Sequence, residues 1–115
     1  MKLNTLRQAR VGELLRETLA ELLVRKVKDP RVSNVTLTGV EISMDLRVAH
    51  VFFCLRDVEQ KNDALKGLKS AEGFFRHELK QLLDMKNIPI LTFIYDDSFD
   101  YGAKIDIIFD KIEAQ

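Results

Sequence analysis

Between Leu6 and Val27 the apolar side chains fall at Val11, Leu14, Leu15, Leu19, Leu22 and Leu23, with Arg10, Glu13, Glu17, Glu21 and Arg25 opposite. This 3.6-residue period predicts an amphipathic helix. Pro30 disfavours helical geometry at Asp29, so the helix is expected to end near Val27 or Lys28, where Arg25, Lys26 and Lys28 complement its negative C-terminal dipole. From Val35 the period changes to two. Val35 and Leu37 share one parity, Val40 and Ile42 the other, and Gly39 sits where the parity changes, which predicts a bulged strand. After a polar turn at Ser43 to Asp45, the run Val48 to Leu55 is apolar on both parities, as in a central strand paired antiparallel with the first.

A second helical pattern runs from about Asn62 to Met85, with Ala64, Leu65, Leu68, Ala71, Phe75, Leu79, Leu82 and Leu83 on one stripe. Gly67 and Gly73 interrupt it. An interior glycine costs about 1 kcal/mol relative to alanine, which marks Ala71 to Gly73 as the place for a bend or break. Pro89 opens a third strand, Ile90 to Tyr95, and Ile105, Ile108, Phe109 and Ile112 have the spacing of a short terminal helix. No repeat, linker or low-complexity tract divides the chain.

The 115 residues, 46% hydrophobic with a mean hydropathy of -0.10, are the composition of one globular domain, 1–115 with its core at about 5–112. No apolar run approaches the ~20 residues that span a bilayer, and no signal-peptide core precedes the first helix, so a cytoplasmic protein without a membrane partner is expected. The single Cys54 fits a reducing compartment. Charge is balanced overall, with 18 basic and 18 acidic residues, but unevenly placed. Met1 to Arg31 holds eight basic against four acidic side chains, and Ile90 to Gln115 two against six. Such polarity suits a protein presenting a basic face to a polyanion, or two solvated ends.

Catalytic readings fare poorly. His50 and Cys54 share a parity, but four residues of strand span roughly 13 Å, too far for a base to activate a thiol. Asp96-Asp97-Ser98-Phe99-Asp100 has the D-D-x-x-D form of some magnesium sites, yet it follows a strand and lacks a second acidic cluster. Turn and helix-capping duty is the expected role there. The five glycines form no phosphate-cradling loop. Binding remains, through basic residues Arg7, Arg10, Lys28, Arg31, Arg47, Lys66, Lys69, Arg76, Lys80 and Lys86. Arg31 has two readings, a phosphate contact or a structural bond to Asp29. The pI of 6.7 is low for a generic RNA binder, so a localised patch is expected.

The chain resembles the ribosome-binding factor A family over nearly its whole length. The carriers are Asp29-Pro30-Arg31, Val35-Thr36-Leu37-Thr38, Val40-Glu41-Ile42-Ser43 with Asp45-Leu46, Ala49 and Val51, Ala71-Glu72-Gly73 with Arg76, and Pro89-Ile90-Leu91-Thr92-Phe93 followed by Asp97. The resemblance implies an α+β, type II KH-like domain: αββ, then helix-kink-helix and β, with the terminal helix after it. The kink is the family's A-x-G at Ala71 to Gly73, in place of the G-x-x-G loop of ordinary KH domains. It further implies a non-enzymatic monomer without cofactor or metal that binds the immature 30S subunit and its 16S rRNA, and supports late rRNA processing and cold adaptation. Its RNA-binding residues would be Arg7, Arg10, Lys28, Arg31, Arg47, Lys69, Ser70, Ala71, Gly73, Arg76, Lys80 and Lys86. The alternatives are a general single-stranded RNA-binding KH-like module and a protein-interaction adaptor.

Overall fold

The computed structural model describes residues 5–99. Helix α1, Leu6–Arg25, starts at a capping box: Thr5 Oγ1 accepts from the Gln8 amide at 3.1 Å, and Gln8 Oε1 accepts from the Thr5 amide at 3.0 Å. Gln8 is buried, and its Nε2 also donates to the Ile42 carbonyl at 3.0 Å, tying the helix start to the end of the first strand. The buried positions Gln8, Gly12, Leu15, Leu19 and Leu22 recur every three or four residues. Leu14, one position off that stripe, is 45% exposed. The helix stops at Arg25, ahead of the expected Val27 or Lys28, and a 3-10 turn at Pro30–Val32 follows, capped by Asp29.

Strands β1 (Thr36–Ile42) and β2 (Val48–Cys54) pair antiparallel, and β2 pairs parallel with β3 (Ile90–Tyr95), giving the order β1-β2-β3. Leu37 opposes Phe53 and Gly39 opposes Phe52, so Thr38 is the extra residue of a bulge. The bulge resets the parity so that Leu37, Val40 and Ile42 can all turn toward the helices. Ala49, Val51, Phe53, Leu91 and Phe93 are buried on the same side. Phe93 meets Phe75 of the second helix with ring centroids 6.0 Å apart.

That helix, α2, is the crossover between the parallel strands and runs Lys61–Leu82 without interruption. The break expected at Gly73 is therefore absent, and Gly73 has no positive φ. The reason lies in the buried stripe, since Ala64, Leu68, Phe75 and Leu79 keep one helical phase across Gly73. Burial of a Leu or Phe side chain is worth about 1.5–3 kcal/mol, more than the glycine costs. Leu82, placed on the stripe by spacing, is 57% exposed at the helix end. The KH-like α+β class stands, with two helices on one face of a three-stranded sheet. The terminal helix expected over Ile105 to Ile112 lies outside the described residues.

Close backbone approach fixes where the helices sit. A Cβ on Gly12 would stand 2.5 Å from the Val40 carbonyl oxygen, and one on Gly67 would stand 2.7 Å from Val32 Cγ1, so α1 meets β1 and α2 meets the Pro30 turn at glycines.

Candidate nucleic-acid interface

The first turn of α1, the β1–β2 turn and the loop from Leu83 to Pro89 come together around a groove of about 840 Å³. Arg7, Arg47 and Lys86 line it together with Asp45, Asp84 and the apolar Val11, Leu46, Met85, Ile88 and Ile90. A second groove of about 420 Å³ shares Met85 to Ile88 and adds Arg76, His77 and Lys80 from α2. Five of the twelve expected residues, Arg7, Arg47, Arg76, Lys80 and Lys86, thus converge from four elements. Lys69, Gly73, Arg76 and Lys80 recur at four, three and four residues, so Lys69 and Gly73 continue the cationic side of α2 on its exposed face. Ser70 is exposed beside them.

The remaining candidates sit elsewhere. Arg10 is exposed on α1 and lines neither groove. Ala71 is half-buried against the core. Arg31 bonds Asp29 through Nε and Nη2 at 2.6 to 3.1 Å, which is the structural reading of that residue. The guanidinium holds the Asp29 carboxyl below its ordinary range. Arg31 lies beside Gly67, and with 1.5 Å of rise per residue that is about 20 Å along α2 from Lys80. Lys28, exposed three residues before Arg31, belongs to that end. Lys26 of the α1 terminus is paired with Glu78 of α2 at 3.2 Å.

The groove wall is built by bonds that spacing did not reveal. Arg76 Nη2 donates to the Ile88 carbonyl at 3.3 Å, and Glu72 Oε2 accepts from the Leu91 amide at 3.1 Å. In the β1–β2 turn, the Leu46 amide donates to the Ser43 carbonyl at 2.9 Å, and Leu46 has φ 61, the one positive value at a non-glycine among the described residues. Asp45 accepts from Ser43 Oγ at 2.7 Å and from the Arg47 amide at 3.1 Å, bonds that hold its carboxyl below the ordinary range. The Arg47 side chain stays 84% exposed, with Asp45 3.8 Å away. Leu46, Met85 and Ile88 line the groove without being among the expected residues, because they come together only when three distant segments meet. The one sequence signal was an apolar residue at a turn position that glycine or asparagine usually takes.

Other chemistry has little to work with. β2 is a regular strand, so His50 and Cys54 stay roughly 13 Å apart along it. Asp96 caps the short turn Asp97–Phe99, accepting from the Ser98 amide at 3.2 Å and from Thr38 Oγ1 at 2.8 Å. Among the described residues no three His, Cys, Asp or Glu side chains gather as metal ligands. No described helix is long and apolar enough to cross a membrane.

Two helices on one face of a mixed three-stranded sheet define a KH-like α+β domain. The family model of ribosome-binding factor A matches residues 7–109, and the chain belongs to that family. A ribosome-binding factor A of Syntrophobacter fumaroxidans is 46% identical over 109 residues, covering 92% of this chain and 93% of the relative. The crystal structure of ribosome-binding factor A from Thermus thermophilus superposes with a TM-score of 0.70 at 27% identity, over 76% of this chain and 93% of that one. A homology model of the Thermus thermophilus factor, fitted into a cryo-electron microscopy map of its 30S complex, gives a TM-score of 0.66 at 28% identity. It covers 78% of this chain and 96% of that one.

Proposed function

We propose that this protein is an assembly factor that binds the immature 30S subunit and its 16S rRNA, supports late rRNA processing and matters most in the cold. It acts in the cytoplasm as a monomer, without catalysis, cofactor or metal. The observation that carries this reading is the convergence of Arg7, Arg47, Arg76, Lys80 and Lys86 on one end of a domain whose relative is fitted into a 30S complex. Clustered cations gain affinity for phosphates by counterion release, so a nearly neutral protein can still bind RNA through a local patch. Lys69, Ser70 and Gly73 extend the contact along α2, with Arg10 adding charge on α1. Arg31, bonded to Asp29, serves mainly the Pro30 turn, and Lys28 adds charge at that end.

Sedimentation with purified subunits tests the reading. Co-migration with 30S, and not with 50S or free RNA, supports it. Equal binding to any single-stranded RNA would favour a general KH-like module, and binding indifferent to salt would favour a protein adaptor.

A further inference from the structure

Ala49, Val51, Phe53, Leu91 and Phe93 turn toward the helices, so the alternate positions His50, Phe52, Thr92 and Ile94 stand on the opposite face of the sheet. Thr92 is exposed there and the other three are half-buried. The pairing sets this face in rows: Glu41, His50 and Thr92 in one, Gly39, Phe52 and Ile94 in the next. Phe52 thus opposes a glycine, and β1 supplies no cross-strand side chain beside its ring. A Cβ on Gly39 would meet nothing within 4 Å, so the position is an open notch.

Gly39 and Phe52 line a groove of about 400 Å³ together with Thr38, Val40, Glu41 and Asp96. No lysine or arginine lines it, and both charged groups are carboxylates. Asp96 already accepts from Thr38 Oγ1 at 2.8 Å, from the Ser98 amide at 3.2 Å and from Ser98 Oγ at 2.5 Å, which leaves about one of the four acceptor positions of a carboxylate. Glu41 is exposed and enters no ion pair among the described residues. An aromatic ring and two carboxylates in one groove suit a planar cation. A guanidinium stacks on a ring by its face and donates to carboxylates from its edge, while its methylene stem lies on apolar surface. An anion would be repelled. Residues 100–115, with two basic side chains against four acidic, are a poor match for the same charge.

We infer that this notch docks an arginine side chain of a basic protein segment, on a surface separate from the one read above as the RNA contact. Phe52 takes the face of the guanidinium, and Glu41 and Asp96 take its N–H groups. Asp96 lies six residues beyond Ile90, roughly 20 Å at ~3.3 Å per residue of strand, so the notch and the groove at the α1 start are at opposite ends of the sheet. The domain then meets partners of opposite charge at its two ends.

The probe is a fluorescein-labelled octapeptide of alternating arginine and alanine, and the control carries citrulline, an uncharged isostere, in place of every arginine. The native protein should bind the arginine peptide about tenfold more tightly, the scale of one charge-assisted hydrogen bond with a cation–aromatic contact. Gly39→Val fills the notch without altering charge, and should bring the ratio close to one while the melting temperature holds or rises. Glu41→Gln changes only an exposed side chain and should lower the ratio several-fold. Equal binding of the two peptides by the native protein would overturn the inference. So would a native ratio in Gly39→Val, because the peptide would then sit on other acids of the surface. A Gly39→Val variant that melts lower would give the notch to the chain's own residues, and a native dimer that this substitution splits would give it to a second copy; either result also overturns the basic partner.

Discussion

Glu72 of α2 accepts the backbone amide hydrogen of Leu91 at 3.1 Å, so a helix side chain closes a donor on the free edge of the sheet. The Ile90 amide turns the other way, donating to the Arg47 carbonyl at 2.8 Å, which leaves alternate amides of β3 facing outward. Glu72→Ala should cost about 1–3 kcal/mol by orphaning this part-buried amide, whereas Glu72→Gln, which keeps an acceptor, should cost less. Urea unfolding gives the difference, and equal losses for the two variants would contradict the bond.

The two glycines inside α2 should respond with opposite signs. Gly73→Ala adds a Cβ with nothing within 4 Å and should stabilise the protein by about 0.5–1 kcal/mol through helix propensity. Gly67→Ala gains the same propensity but presses on buried Val32, and should be destabilising by about 1–2 kcal/mol net. A Gly73→Ala variant that melts lower would mean that the helix breaks there after all.

Salt dependence should separate the two basic regions. Each phosphate contact contributes roughly 0.7 to 0.9 to the slope of log K against log salt, so Arg47→Glu with Lys86→Glu should flatten the slope for 30S binding by about 1–2. Arg31→Glu should change folding stability more than the slope, because it sets two carboxylates side by side at the Pro30 turn. Sedimentation at several salt concentrations decides between them.

Acid should loosen the link between β1 and the end of β3. Burial pushes the Asp96 carboxyl up, but hydrogen bonds from Ser98 and Thr38 outweigh it and hold the group below its ordinary value of 3.8. A carboxylate lowered in the folded state contributes stability above its unfolded value, and that stability fades as pH falls through the folded one. Thr38→Val should therefore cost about 1 kcal/mol at pH 7, with the gap narrowing below pH 4. A pH-independent gap would show that the hydroxyl does not act through the carboxylate.

How much was legible in the sequence depended on whether a feature is local. The β1 bulge was readable because Leu37 and Val40 break parity around Gly39, and both long helices because their stripes repeat. At Gly73 the low propensity points to a bend or break, whereas the unbroken phase of Leu68, Phe75 and Leu79 keeps α2 one continuous helix. The cations of the groove could be nominated by type, but not sorted. Arg31 differs from Arg47 only in having a carboxylate held in place by a proline turn. Glu72, Leu46 and Met85 carried almost no signal, since each acts through a segment far away in sequence.

The parallel pairing of β2 with β3 also imposes an order of events. The β1–β2 hairpin closes through a short turn and can form early, but β3 can join only after the whole of α2 has folded back, a slower closure between distant segments. One wall of the groove belongs to the hairpin and another to the loop that leads into β3. The groove is thus assembled by the last docking event, and any ligand gripping both walls would hold that final step closed. Occupancy would slow unfolding of the entire domain, so the bound factor should outlast the free one under proteolysis.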